Sequence, residues 1–400
     1  MISQYYEKEI TDMKKTLKLT AFIAAAAILL ALLILVFANK PQAPGQIPDL
    51  APGDEIFTFN FVGDNALDGA GFQATTGGRA DYPYANTKKF LDGAEFNFAN
   101  LECIISDAAL YSDSLFHFKA PTRNTAMLTW AGIDFVTTAN NHTLDYGQRG
   151  LDDTVAALEK AGISYGLDGK TSIYETRHGI KIGIYCGSQY VYEGIVVSSI
   201  AQLKEQKVDL IICAFHWGNE GAYRPTAMQT RLAHAAIDAG ADIVYGSHPH
   251  VLQPVEEYKD GFIMYSLGNW SFGGNSRPAD MDSAIIQVSV KRDLQGSLSI
   301  ADYKLIPCRV SSISSYNDYC PTPYEEGTSE YDRTMSKLTG TFTGPDLVVD
   351  YSHLRPQESD SPQTTEVPEV PETPEETDAP VPEPTPETES SEYPVPELTE

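Results

Sequence analysis

The sequence contains few cysteines and no Cys-x-x-Cys pair. Five cysteines in 400 residues are too few for a disulfide-dense scaffold, and the missing pair excludes a zinc ribbon. Cys186 and Cys213 lie in apolar, strand-like runs and are expected to be small core side chains. Cys308 and Cys320 could form a disulfide in an oxidising compartment.

Basic residues are also scarce. The chain has 28 Lys and Arg against 55 Asp and Glu, a formal net charge of −27. Fourteen of the acidic residues lie in 355–400, where Arg355 is the one basic residue, so about half of the net charge belongs to the tail. Elsewhere no stripe of Lys and Arg occurs, which excludes nucleic acid as a partner because phosphate binding needs clustered positive charge.

The N-terminal region contains a long uncharged run. Residues 19–38 (LTAFIAAAAILLALLILVFA) carry no charge, and about 20 helical residues match a hydrocarbon core of about 30 Å. The run is longer than the apolar part of a signal peptide, the alternative, and FANKPQ is a poor cleavage site. Three lysines lie at positions 14, 15 and 18, and only Lys40 directly follows the run. We therefore predict a single-pass cell-membrane protein with residues 1–18 in the cytoplasm and the domain outside.

The rest of the chain divides by composition. Residues 39–53 are rich in proline and predict a semi-extended linker. Strand-like and helix-like segments alternate over 54–310, which predicts an α/β domain with a largely parallel sheet or two stacked sheets; there FIMYSLGNW (262–270) is expected to form one strand. We expect 311–356 to be an irregular extension. Residues 357–400 repeat Pro, Glu, Thr and Ser, which predicts a disordered tail.

Polar side chains follow five of the apolar strands, at the positions where open α/β sheets bind ligands. Carboxylates, a side-chain amide and imidazoles together suit divalent zinc, manganese or iron. No serine or cysteine nucleophile motif competes, since strand alternation should turn Cys103 away from the face of Glu102. The five segments are Gly63-Asp64, Asn100-Leu101-Glu102, Asn140-Asn141-His142, His216-Trp217-Gly218 and His248-Pro249-His250.

This order of residues resembles that of the calcineurin-like metallophosphoesterases. A closer resemblance, covering about residues 55–310, is to the CapA family of poly-γ-glutamate capsule biosynthesis proteins. It implies a metallophosphoesterase-like two-sheet α/β sandwich whose loops at the strand ends bind one or two divalent ions. The segments that carry it are FVGDNAL, NFANLE, GIDFVTTANNHTLDYGQRGLDDTVAALEKAGI, FHWGNE, AGADIVYGSHPHVLQPVE and IMYSLGNWSF.

The resemblance also implies roles for individual residues. His142 would help to protonate a leaving group, and Asp145 would orient it. Apart from the resemblance, the position of Arg224 shortly before a predicted helix makes it the candidate for binding an anionic substrate, with a solvated loop residue as the alternative. The metal ligands would be Asp64, Glu102 and His250 at a first ion position, and Glu102, Asn141, His216 and His248 at a second, with Glu102 bridging the two.

Two positions depart from the metallophosphoesterase pattern. The usual Asp-x-His of the first motif is here Asp64-Asn65-Ala66, so the first ion position lacks a ligand. Glu102 stands where a shorter Asp is usual. A single ion held by the second position alone is therefore an alternative to a two-ion centre.

Three functions fit the sequence. The first is a metal-dependent hydrolase in the synthesis, export or anchoring of poly-γ-glutamate or a related capsule polymer, with the anionic polymer, membrane-bound synthase subunits and the membrane as partners. The second is an extracellular phosphoesterase. The third is a non-catalytic scaffold that binds polymer within a synthase complex.

Overall fold

The structure is a computed structural model that describes residues 53–188 and 191–351. Sixteen strands lie within these residues. They are β1 Glu55–Ala66, β2 Phe96–Leu101, β3 Ile104–Ile105, β4 Lys119–Ala120, β5 Phe135–Thr137, β6 Ser164–Gly166, β7 Lys170–Glu175, β8 Lys181–Ser188, β9 Leu210–His216, β10 Ile243–Ser247, β11 Val255–Tyr258, β12 Gly261–Met264, β13 Asn269–Phe272, β14 Asp282–Arg292, β15 Leu298–Arg309 and β16 Thr322–Pro323.

Seven α-helices lie in the same described ranges. The longest ones have clear boundaries: α4 and α6 both end at a glycine in the left-handed conformation, and Thr226 and Gln229 form a capping box at the start of α6. The helices are α1 Ala70–Thr76, α2 Lys88–Leu91, α3 Thr125–Ala131, α4 Gly147–Ala161, α5 Glu193–Glu205, α6 Ala227–Ala239 and α7 Ser329–Leu338.

The strands form two large sheets and one short ribbon. Sheet 1 has the order β16-β15-β14-β1-β2-β5-β6, with β13 paired to the end of β1. Sheet 2 has the order β11-β12-β10-β9-β8-β7. Within sheet 1, β1, β2, β5 and β6 are parallel, and within sheet 2, β8, β9, β10 and β12 are parallel. Strands β3 and β4 form the ribbon.

The two sheets stack face to face, with helices on their outer faces. On β9, Ile212 and Ala214 belong to the apolar core between the sheets, whereas Cys213 and Phe215 pack outward against α5 and α6. Such alternation is what the two-residue period of a strand requires when both faces are buried. Helices α1, α3 and α4 cover the outer face of sheet 1. The predicted two-sheet α/β architecture is confirmed.

The segment FIMYSLGNW forms two strands, so the prediction of one strand is wrong. Its first part is β12 in sheet 2 and its last part begins β13 in sheet 1. Gly268 lies between them with φ 64°, a left-handed conformation that interrupts a strand. The crossing brings backbone close to β1, because a β-carbon at Gly63 would lie 2.1 Å from the carbonyl oxygen of Gly268.

The segment expected to be an irregular extension contains β16 and α7. A buried ion-pair network fixes α7 to the domain: Lys337 Nζ lies 2.5 Å from Asp280 Oδ2 and 2.7 Å from Asp282 Oδ2. Arg333 also binds Asp282, through two hydrogen bonds. Burial disfavours the charged form of Asp282, but these two cations outweigh it and hold the pKa of Asp282 below its usual range.

All five cysteines are buried free thiols, and Cys308 and Cys320 form no disulfide. Burial raises the pKa of each thiol, including that of Cys103 beside the candidate site, which makes these side chains poor nucleophiles.

The predicted anchor at 19–38 and the predicted tail at 357–400 lie outside the described residues. Within 53–188 and 191–351, no helix combines the length and apolar character needed to cross a bilayer.

The network around Asp282 yields a stability prediction. Lys337→Met removes one partner of a buried ion pair, and we expect the free energy of unfolding to fall by about 3 kcal/mol at pH 7, where Asp282 is ionised. Urea unfolding of the two proteins measures the difference. Lys304→Met, at an exposed position on β15, is the control and should change stability by less than about 0.5 kcal/mol. Equal stability of the Lys337 variant and the parent would contradict this reading of α7.

Candidate metal centre

The candidate site lies where parallel strands of both sheets end. Asp64 is near the end of β1, opposite Asn100 on β2 and Asn269 on β13. His216 ends β9, and His248 directly follows β10. Parallel strands place their carboxyl ends at one edge of a sheet, and here the edges of the two sheets meet. The structure brings together all six residues that the sequence suggests as metal ligands.

Asn100 holds the two carboxylates of the site. Its Nδ2 donates to Asp64 Oδ1 and to Glu102 Oε2, each at 2.9 Å. Its own Oδ1 accepts from Asn140 Nδ2 at 3.1 Å. Asn100 belongs to one of the five polar segments of the sequence, but no role was predicted for it. The signal was its spacing, because residues two apart in extended backbone point to the same face.

Three histidines direct the same ring nitrogen at the second oxygen of Glu102. Nε2 lies 3.5 Å from Glu102 Oε1 in His250, 3.8 Å in His216 and 3.9 Å in His142. Glu102 is completely buried, and its Oε1 accepts no hydrogen bond from any described residue. Burying a carboxylate oxygen without a partner costs free energy, so a cation bound at this oxygen would be stabilising.

The other ring nitrogen of each histidine fixes the tautomer. The hydroxyl of Ser247 donates a hydrogen bond to the carbonyl oxygen of Phe215. The Ser247 oxygen therefore accepts the hydrogen bond from His216 Nδ1. The same logic applies to the other two rings, whose partners are acceptor oxygens, so that each Nε2 carries an inward lone pair when its ring is neutral, as metal binding requires. The Nδ1 partners, each at 2.9 Å, are Asp145 for His142, Ser247 for His216 and Asn269 for His250.

Further lone pairs converge on His216. Its Nε2 lies 2.6 Å from Asn141 Oδ1, and neither atom carries a proton in this tautomer. His248 Nδ1 lies 3.0 Å from the same Nε2. The facing lone pairs of His216 Nε2 and Asn141 Oδ1 repel unless both bind one cation, and both residues are assigned to the second ion position.

The electrostatics divide the site into a neutral and an acidic part. Burial, with a smaller effect from the neighbouring histidines, lowers the pKa of His216 well below its usual range and that of His248 to about 4. Burial raises the pKa of Glu102 well above its usual range, against the charge of His250. Burial alone would lower the pKa of His250, but Glu102 and Asp64 outweigh it and raise that pKa to about 10. The acidic part therefore favours a positive charge.

The loop that carries His248 and His250 is strained. Their φ angles are 97° and 56°, in the region that favours glycine, and such residues cost about 1–3 kcal/mol each. Neighbouring backbone bonds hold the loop: Trp217 N donates to Ser247 O at 3.0 Å, and Gly221 N donates to Pro249 O at 2.8 Å. The strain is thus retained at the position where both imidazoles enter the site.

His142 and Asp145 form a supported pair. Asp145 Oδ2 accepts from His142 Nδ1 and also from the backbone nitrogen of Phe118, at 2.8 Å. The ring of Phe118 packs on His142 with a centroid distance of 4.5 Å. His142 is 8% exposed. Its orientation is therefore fixed, with Nε2 facing the space beside Glu102.

Arg224 is hydrogen-bonded to the C-terminal segment. Its guanidinium donates to Asp346 Oδ1 at 3.0 Å and to the carbonyl oxygen of Gly344 at 2.7 Å. To bind a substrate, Arg224 would have to give up these contacts. Glu220, by contrast, was not among the predicted site residues, although it ends the motif FHWGNE four residues after His216. It forms a possible ligand group with His248 and His250, whose ligand atoms all lie within 4.8 Å of one another.

The donors present fit a divalent cation. Carboxylate, amide and imidazole groups suit metals of intermediate hardness. The buried oxygen of Glu102 lacks a donor among the described residues, and the Nε2 lone pair of His216 faces the amide oxygen of Asn141 at 2.6 Å. A cation would resolve both conflicts at once, which an ordinary hydrogen-bond network does not.

Comparison with known proteins gives matches over this domain. A family model described as "Bacterial capsule synthesis protein PGA_cap" matches residues 58–184 and 166–273, which together span more than half of the chain. The "Capsule biosynthesis protein CapA" of Bacillus anthracis is 29% identical over 318 residues, covering 72% of this chain and 77% of that protein. The "PGA biosynthesis protein CapA" of Bacillus subtilis (strain 168) is 28% identical over 330 residues, covering 74% and 85%.

Comparison with solved structures also gives matches. The NAD nucleotidase (NadN) of Haemophilus influenzae matches with 12% sequence identity and a TM-score of 0.39, over 71% of this chain and 62% of that chain. At this TM-score the likeness carries no weight for the assignment of the site.

The ligand sets yield a prediction about metal content. His216→Ala and His248→Ala should remove nearly all bound metal, because each deletes a donor from the more complete second position. Asp64→Ala should release at most the ion of the first position. Elemental analysis of the purified full-length protein measures this. His234→Ala is the control, because His234 pairs with Glu256 outside the candidate centre. Complete loss of metal in Asp64→Ala alone would show that the ligands are assigned wrongly.

Proposed function

Because this chain belongs to the bacterial capsule synthesis protein family, we propose that it acts in the synthesis, export or anchoring of poly-γ-glutamate or a related capsule polymer. We propose further that it does so as a metal-dependent hydrolase with a metallophosphoesterase-like centre. The single observation that carries the hydrolase proposal is the unpaired Oε1 of Glu102, faced by three imidazole Nε2 atoms.

The ion would be held by the six residues named above. Bound there, it would supply Lewis-acid polarisation of the scissile group and activation of the attacking water. The protein's own contribution is to fix the donors: Asn100 orients both carboxylates, and Ser247 and Asn269 set the tautomers of His216 and His250.

His142 is the candidate proton donor to the leaving group. In its charged form it would carry a proton on Nε2, the atom that faces the site, and the carboxylate of Asp145 at Nδ1 would stabilise that form. The backbone donor of Phe118 keeps Asp145 in place. His142 would therefore act on substrate without being needed to hold the ion.

An anionic polymer is compatible with this acidic site only if the charge is compensated. Asp64, Glu102 and Glu220 would repel a polyglutamate chain. One divalent cation among them would offset two of these three negative charges, and a second would make the site positive, so metal is a requirement for substrate as well as for chemistry. The names of the Bacillus relatives, which refer to capsule and PGA biosynthesis, support the choice of polymer.

The proposal includes a location at the cell surface. The uncharged run at 19–38 and the lysines before it support a membrane anchor with the domain outside. Protease added to intact cells should then degrade the domain while the first eighteen residues stay protected, and survival of the domain would contradict the orientation.

Activity assays on the full-length protein test the hydrolase. With manganese present, we expect it to cleave γ-glutamyl polymer, and His142→Ala should reduce the rate by about 10²–10⁴-fold while metal content stays unchanged. Leu144→Ala, at an exposed position of the same loop, is the control.

The other outcomes separate the alternatives. Hydrolysis of phosphate esters without cleavage of polymer would assign a phosphoesterase instead. Polymer binding without hydrolysis of either substrate would assign a scaffold. If His142→Ala lost metal as fully as His216→Ala, His142 would be a ligand and not the proton donor.

A further inference from the structure

We propose that Glu220 is a ligand of the first ion position, where it replaces the histidine that the first motif lacks. The proposal rests on the metal centre described under the proposed function. It adds a carboxylate that neither the family resemblance nor the sequence order assigned, and it makes the two ion positions chemically different.

The first ion position is short of donors without Glu220. Asp64, Glu102 and His250 supply three, and Asn65 next to Asp64 is used elsewhere. Asn65 Oδ1 accepts from Tyr84 at 2.8 Å, and its Nδ2 donates to the carbonyl oxygen of Gly63 at 2.9 Å. These bonds turn the Asn65 amide away from a ligand role, and its neighbour in the motif is an alanine.

The loop after β9 brings Glu220 to this position. Gly218 and Gly221, with φ angles of 84° and 74°, let the chain reverse on either side of Glu220. Gly221 N donates to Pro249 O at 2.8 Å, which ties the loop to the residue between His248 and His250. The carboxylate of Glu220 therefore enters beside both imidazoles, within 4.8 Å of their ligand atoms.

A second observation points to a cation at this place. Glu102 Oε1, fully buried and without a hydrogen-bond donor among the described residues, faces His250 Nε2 at 3.5 Å. The Asp64 and Glu220 carboxylates add negative charge around the same imidazole. Three carboxylates carry more negative charge than the single imidazole of His250 can offset, which favours a bound cation.

Tyr351 positions Glu220. Its hydroxyl donates to Glu220 Oε2 at 2.5 Å, and its ring packs edge-on against Phe116 at a centroid distance of 4.6 Å. Leu347 N donates to Gly221 O at 3.0 Å, so the C-terminal segment braces the loop from outside. One carboxylate oxygen of Glu220 is thus engaged by Tyr351, and the other is available to an ion.

The ligand chemistry gives the first position a preference. Asp64, Glu102 and Glu220 offer oxygen, with His250 as the one imidazole, whereas the second position has two imidazoles. Oxygen-rich sites favour harder ions such as manganese, and nitrogen-rich sites favour zinc. The first position should therefore bind manganese in preference to zinc more strongly than the second does.

Manganese titration of the full-length protein, followed by electron paramagnetic resonance and calorimetry, tests the proposal. We expect two ions in the parent protein and one tightly held ion in Glu220→Gln, with the affinity for the other reduced at least about 10-fold. Tyr351→Phe, which removes the hydroxyl that positions Glu220, should reduce the affinity for that same ion by about 10-fold and leave the affinity for the other ion unchanged. Glu256→Gln is the control, since Glu256 pairs with His234 and Tyr265 away from the centre.

The outcomes separate this inference from the proposal on which it depends. Two ions bound with parental affinity in Glu220→Gln would overturn the role of Glu220 while leaving the metal centre intact. One ion in both the parent and Glu220→Gln, with equal affinity, would also overturn it. No bound manganese in the parent would overturn both. Thermal unfolding of each metal-free variant checks that Glu220→Gln is folded, and Glu220→Asp should recover part of the lost affinity.

Discussion

A carboxylate that is buried must have its charge compensated, and Glu102 is the buried carboxylate around which this molecule is organised. One of its oxygens is paired with Asn100, and the other faces only imidazole nitrogens. The Nδ1 partners of those imidazoles hold the rings with Nε2 directed at that oxygen. The fold thus builds an oxygen and several nitrogens that a bound cation would satisfy together.

The two stacked sheets make this convergence available. Each contributes parallel strands whose carboxyl ends reach the same edge, so that sheet 1 delivers the carboxylates and sheet 2 delivers His216 and His248. The close approach of Gly63 and Gly268 brings β13 beside β1, and with it Asn269, the partner of His250. The strained His248-Pro249-His250 loop completes the site from sheet 2. The geometry of the candidate site and the fold therefore depend on the same strand ends.

The sequence predicted the parts of this arrangement that follow from local patterns. Apolar strands followed by polar residues located the ligands, because strand direction brings those residues to one edge. The prediction from sequence was wrong where the chain crosses between sheets, because FIMYSLGNW has the apolar character of one strand. Only the left-handed Gly268 divides it into two. The sequence also did not indicate Glu220 or the role of Asn100, since both depend on contacts with residues distant in sequence. Nor did it indicate α7, which is fixed by the pairing of Lys337 with Asp282.

Crystals of the protein grown with manganese, measured at a wavelength where manganese scatters anomalously, test the central claim most directly. The account predicts an anomalous peak at about 2.0–2.4 Å from Glu102 Oε1, with Nε2 of His216 or of His250 as a further ligand. A structure in which Glu102 Oε1 instead accepts hydrogen bonds from water or protonated histidine, with no peak at saturating manganese, would contradict it.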